Sequence, residues 1–130
     1  MTTADQMRST LERYLQCVAD HDVAAVLDLF AEEISVEDPV GGAPGTHVRG
    51  KQAVEAFFRK GFSRTRPVPT LRGPIRTTHG NEAAMAFTLR LELGGERREI
   101  DVIDVVRFDD TGLITELRAF WNPDEIRPAG

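Results

Sequence analysis

One cysteine, one tyrosine and one tryptophan in 130 residues leave little material for several common kinds of chemistry. Cys17 has no partner for an internal disulfide, and Met1-Thr2-Thr3-Ala4-Asp5 lacks the basic and apolar regions of a signal peptide, so a reducing, cytoplasmic setting is expected. No apolar run approaches the roughly 20 residues that a helix needs to cross a bilayer, and no membrane partner is expected. The three histidines, His21, His47 and His79, fall at a predicted helix end, loop and turn, without metal-ligand spacing, and are expected in solvent. No metal is implied. Neither a Gly-rich phosphate cradle nor a Ser-His-Asp order is found. The 16 Lys and Arg are spread among 21 Asp and Glu for a net charge of −5, with no basic stripe, which argues against a nucleic-acid partner. What is present, 41 % apolar and 28 % charged residues, fits one globular domain over residues 1–130 with one core.

The order of elements is readable. Thr3 and Gln6 form a capping box, and Met7, Leu11, Tyr14, Leu15 and Val18 recur at helical spacing to about Asp20. Asp22 caps a shorter helix whose Val23, Val26, Leu27 and Phe30 turn inward. After a strand ending at Asp38, Val40 to Thr46 is a loop with Gly41, Gly42, Pro44 and Gly45. A third helix from about Lys51 carries Val54, Phe57, Phe58 and Phe62 on one stripe, and Pro67 and Pro69 are expected to interrupt regular structure. Sheet follows. Ala83, Met85, Phe87, Leu89, Leu91 and Leu93 form one apolar parity row, and Gly94-Gly95 turns a hairpin. A last strand from Leu113 to Trp121 is read with Leu113, Leu117, Ala119 and Trp121 on one face. Helices first and an antiparallel meander afterwards predict an α+β domain with three helices over one face of a curved sheet.

Two acids stand in apolar rows. In Ile34-Ser35-Val36-Glu37-Asp38, alternation puts Ile34, Val36 and Asp38 on one side. In the next example Arg98, Ile100, Val102, Asp104, Val106 and Phe108 share a side, which leaves Asp101 on the other. An ionisable group aimed into a core is costly unless paired, protonated or used, so Asp38 and Asp104 are candidate site residues. Turn chemistry alone would make Asp38 a cap for the turn with Pro39 and Gly41. The second acid argues against that. Val40, Phe58, Phe87, Val102, Leu117, Ala119 and Trp121 are the expected apolar liners of a pocket for a flat hydrophobic ligand.

Several stretches resemble one family over nearly the full length: Arg13-Tyr14, Leu29-Phe30-Ala31-Glu32, Val36-Glu37-Asp38-Pro39-Val40-Gly41, Asn81-Glu82-Ala83-Ala84, Ile103-Asp104 and Arg118-Ala119-Phe120-Trp121. The chain resembles the steroid Δ5-3-ketoisomerases, within the SnoaL-like superfamily that shares the cone-shaped α+β barrel of nuclear transport factor 2. The resemblance implies a catalytic set of Tyr14, Asp38 and Asp104, with Asp38 moving a proton from C4 to C6 of a 3-keto-Δ5 steroid. Tyr14 and a protonated Asp104 would donate hydrogen bonds to the 3-oxygen. It implies no cofactor. Some members place a second tyrosine where this chain has Phe58. A polyketide cyclase or an epoxide hydrolase on the same fold is the alternative, the latter wanting an arginine between its acids, which the inward rows lack; a non-catalytic ligand-binding dimer is another. Ile103, Val105, Ile114 and Phe120 are read as an apolar outer face, and a homodimer through it is expected.

Overall fold

The computed structural model describes residues 2–130, and its first helix begins where the sequence places it. Thr3 caps α1 (Ala4–Ala19): its Oγ1 accepts from the Gln6 N–H, and Gln6 Oε1 accepts from the Thr3 N–H. Met7, Leu11, Tyr14 and Val18 are buried along one side of the helix. The Asp22 side chain accepts from the Ala25 N–H and starts α2 (Val23–Leu27). That helix is shorter than the apolar spacing suggests. Phe30 is not its last inward residue but the first of strand β1 (Phe30–Glu37), where it is fully buried.

Strand β2 (His47–Arg49) leads into α3 (Lys51–Thr65), which buries Val54, Phe58 and Phe62. The prolines that follow do not end regular structure: β3 (Val68–Leu71) runs through Pro69 and pairs with β5 alone. Proline is tolerated there because an edge strand has one side with no ladder to complete. The short β4 (Arg76–Thr77) precedes β5 (Glu82–Leu93), β6 (Glu96–Phe108) and β7 (Ile114–Phe120), and β8 (Arg127–Pro128) closes the chain.

The strands lie in the order β2, β1, β7, β6, β5, β3, with β4 added to β5 and β8 to β6. Neighbours are antiparallel except β1 and β7, which are parallel. Three helices cover one face of this mixed, mostly antiparallel sheet. The expected barrel does not close. β2 and β3 remain edges, so the architecture is an open, curved sheet.

Alternation on β6 follows the expected parity, with Ile100, Val102, Asp104, Val106 and Phe108 all buried. On β5 the inward row holds as far as Leu91, while Leu93 at the hairpin is exposed. β7 departs from the reading at its start. Ile114, expected on the outer face, is fully buried, and Leu113, expected inside, is 36 % exposed. Phe108 pairs with Ile114 but Arg107 pairs with Glu116, so Thr115 is an extra residue. Such a bulge reverses parity on one side of itself. Leu117 and Ala119, beyond it, point inward as expected.

His21 is also corrected. It is half-buried, with Nε2 2.8 Å from the Pro67 carbonyl oxygen and its ring 5.9 Å from that of Phe62. His47, exposed, meets Ser35 Oγ at 2.9 Å, and His79 is exposed. Among the described residues no group of three or more His, Cys, Asp or Glu side chains is placed to hold a metal ion, and no helix is long and apolar enough to cross a membrane. Cys17 is buried as a small packed residue.

Candidate active site

Three strands bring the two inward acids together. Val36 is opposite Leu117 and Glu37 opposite Arg118 in the β1–β7 ladder, and one step further Asp38 comes beside Ala119. The Asp38 N–H donates to the Thr46 carbonyl at 2.8 Å and the Val40 N–H to the Ala119 carbonyl at 2.9 Å, which fixes the segment as it leaves the sheet. On the other side of β7, Ala119 is paired with Asp104. Asp38 and Asp104 therefore flank Ala119, two strand spacings or about 10 Å apart at the backbone. The alanine methyl leaves the space between them open.

Asp38 does not cap the turn after it. That bond belongs to Glu37, whose Oε2 accepts from the Gly41 N–H at 3.4 Å. Asp38 Oδ1 instead accepts from Trp121 Nε1 at 2.6 Å. Burial pushes the Asp38 carboxyl above its ordinary range, and the indole bond, which favours the charged form, opposes the shift.

Asp104 has no such partner. It is 2 % exposed and its Oδ1 is buried without a hydrogen bond. Burial, and next the charge of Asp38, hold its carboxyl well above the normal range, which favours the protonated form, the one that can donate. Of the two acids, Asp38 has a donor on its carboxylate, and among the described residues Asp104 Oδ1 has none. Tyr14 reaches the same space from α1. Its ring stacks on Phe30 at 6.2 Å, and burial, then Asp104 and Asp38, raise its hydroxyl well above the usual phenol range. It too stays a donor.

Tyr14, Asp38 and Asp104 line one cavity of about 220 Å³. A water occupies about 30 Å³, so the space is of organic-ligand size. Phe58, Phe87, Val102, Ala119 and Trp121 line it as expected. Val40 and Leu117 do not. Leu117 is one two-residue step below Ala119, on the rung where it meets Val36 and Val106 in solid core, and Val40 follows the chain out of the sheet. Phe58 packs at 5.8 Å from Phe30 and 5.5 Å from Phe62, so no second phenol supports Tyr14 at that position. Leu89, Leu91 and Ile100 also line the cavity and lie in the inward rows read from the sequence. Thr65 at the end of α3, Pro67 in the connection that follows and Pro69 on β3 line it as well, where the sequence carried no signal for a wall.

Residues 11–117 match the SnoaL-like domain family. This chain belongs to that family. The SnoaL-like chain is 35 % identical over 121 residues, 93 % of its length and 94 % of the relative's, to a steroid Delta-isomerase of Nocardioides simplex. Its fold is similar to that of a Mycobacterium tuberculosis protein in complex with estradiol-17beta-hemisuccinate, with TM-score 0.84, 28 % identity, and 93 % and 97 % of the two chains covered. It is also similar to the epoxide hydrolase/cyclase-like enzyme SalBIII of pyran ring formation in the polyether salinomycin, with TM-score 0.88, 22 % identity, and 99 % and 100 % covered. At that identity the likeness is one of fold.

The Asp38–Trp121 bond is open to direct titration. Trp121→Phe removes the hydrogen bond that favours the Asp38 carboxylate, so its titration is expected to move to higher pH in carboxyl ¹³C NMR. An unchanged midpoint would mean that the indole does not tune this acid.

Asp104 bears on stability with the opposite sign from a paired acid. Its carboxyl ionises at about pH 4 in the unfolded chain but well above that when folded, so between those limits the unfolded state binds fewer protons. Stability conferred at low pH is lost as pH rises. Asp104→Leu is therefore expected to raise Tm at pH 7 relative to the parent, with the gap narrowing toward about pH 4. A Tm lowered at pH 7 would show that Asp104 is a stabilising ionised group.

Proposed function

We propose that this SnoaL-like protein is a steroid Δ5-3-ketoisomerase that moves a double bond into conjugation with the 3-ketone. The Nocardioides simplex relative supports isomerase activity. The observation that supports the mechanism is the buried Asp104 oxygen without a hydrogen-bond partner among the described residues, in one largely apolar cavity with Tyr14 and Asp38. The ionised Asp38 takes a proton from C4, next to the carbonyl-activated system, and negative charge passes to the 3-oxygen of the dienolate. Tyr14 and Asp104 donate to that oxygen. Asp38 then returns the same proton to C6, and the electrons collapse to the Δ4-3-ketone. No electron acceptor is required, so no cofactor enters the proposal. A cytoplasmic location belongs to it as well. No arginine, lysine or histidine is among the described residues that line the cavity, which disfavours the Asp-Arg-Asp chemistry of the epoxide hydrolase reading.

Mixing the protein with 5-androstene-3,17-dione and following enone absorbance tests this reading. Asp38→Asn keeps shape and loses basicity, and turnover is expected to fall about 10²–10⁴-fold. Asp104→Asn retains an N–H donor and should lose little, whereas Asp104→Leu loses about 10²–10³-fold. Asp101→Asn is the control. That side chain lies on the opposite face, bonded to Thr88 and Arg127, which hold it below the usual carboxylate range. Equal losses for Asp104→Asn and Asp104→Leu would overturn the donor role.

The same proposal includes a homodimer through the outer face. Ile103 is 50 % and Phe120 40 % exposed on neighbouring, paired positions, with the Arg118 guanidinium 5.1 Å over the Phe120 ring. Ile114, buried in the core, is not part of this surface. Sedimentation at micromolar concentration should give a dimer that Ile103→Glu dissociates; a monomeric parent would remove the dimer from the reading.

A further inference from the structure

The far end of the cavity differs from the acid end in having one side-chain oxygen. From the Asp104 rung, β6 runs through Val102 to Ile100, four residues or about 13 Å. On α3, Phe58 lies at the acid end, packed on the Phe30 that stacks with Tyr14. Thr65 is seven residues on, two turns along the same face and about 10 Å away. The other residues that line this end offer no side-chain nitrogen or oxygen: Pro67, Pro69, Leu89 and Leu91 present carbon, and Gly61 has no side chain beyond hydrogen. A steroid held by its 3-oxygen at Tyr14 and Asp104 would direct its five-membered ring toward this end.

The chemistry of that oxygen is one-sided. Thr65 Oγ1 donates its only hydrogen to the Gly61 carbonyl at 2.9 Å, so toward the cavity it can only accept. We propose, building on the isomerase reading, that Thr65 selects substrates that carry a hydroxyl, rather than a ketone, at C17. The C17 hydroxyl donates to Oγ1. A C17 ketone sets lone pair against lone pair, or requires Thr65 to give up its bond to Gly61.

A threonine hydroxyl bonded four residues back in a helix is common on structural grounds alone. That role predicts no preference among substrates, so the ratio of kcat/KM for two steroids separates the readings. With 17β-hydroxy-5-androsten-3-one and 5-androstene-3,17-dione as probes, the parent should favour the alcohol by roughly two- to tenfold, the worth of one neutral hydrogen bond. Thr65→Val should bring the ratio to about one, and Thr65→Ser should keep it. Each ratio is internal to one protein, so losses of folded material cancel. A parent with no preference for the alcohol, or one whose preference survives in Thr65→Val, overturns the inference and leaves the isomerase reading standing. Enone formation from neither steroid removes the isomerase reading, and this inference with it.

Discussion

Removal of water from two carboxyl groups on one apolar face is the constraint on which the rest of the site depends. In water Asp38 and Asp104 would ionise together at ordinary acidity. Facing a carbon-lined cavity across Ala119, they are each pushed toward the neutral form. A single indole N–H then separates their roles. It supports charge on Asp38, and that charge in turn adds to the burial that raises the Asp104 carboxyl. Two different electrostatic environments thus arise for one residue type by placement.

The sheet supplies that placement through alternation. Asp101 and Asp104 are on the same strand, three residues apart and on opposite faces. Asp101, met by Arg127 and Thr88, is held below the usual carboxylate range, while Asp104, buried and facing the charge of Asp38, is held well above it. A slip of one residue in the β6 register would exchange the two environments. The twelve-residue pairing of β5 with β6, from Glu82 opposite Arg107 to Leu93 opposite Glu96, resists such a slip, because moving it would turn the whole buried row of both strands toward water.

How far the sequence could be read follows from what was local. The Thr3–Gln6 box, the Asp22 cap and the inward row of β6 depend on spacing alone, and they stand in the structure as the pattern places them. Features set by pairing were not visible. Thr115 looks like any strand residue until Arg107 and Phe108 choose partners two apart, and only then does Ile114 turn inside. Pro69 reads as a breaker until its strand proves to be an edge. For the site, parity identified Asp38 and Asp104 and put Trp121 on the cavity wall, but the indole bond to Asp38 joins residues 83 apart and left no trace in the spacing. Leu117 was misplaced as a liner for the related reason that parity gives a direction and not a depth.

Depth is what turns a core into a pocket here. Below the Ala119 rung, Leu117, Val36 and Val106 fill the space between the sheet and the helices, all of them nearly or fully buried. At the rung itself the middle position is an alanine flanked by two short acids, and the volume that larger side chains would occupy is left to the cavity. Above it, α3 ends at Thr65 and the chain returns along β3, so the wall is made by a helix terminus and prolines instead of a second helical turn. The unfilled space costs packing contacts, and the neutral buried acid costs hydration. Both costs fall on the few residues that face the cavity, while the capped helices and the continuous β5–β6 ladder surround them with ordinary close-packed structure.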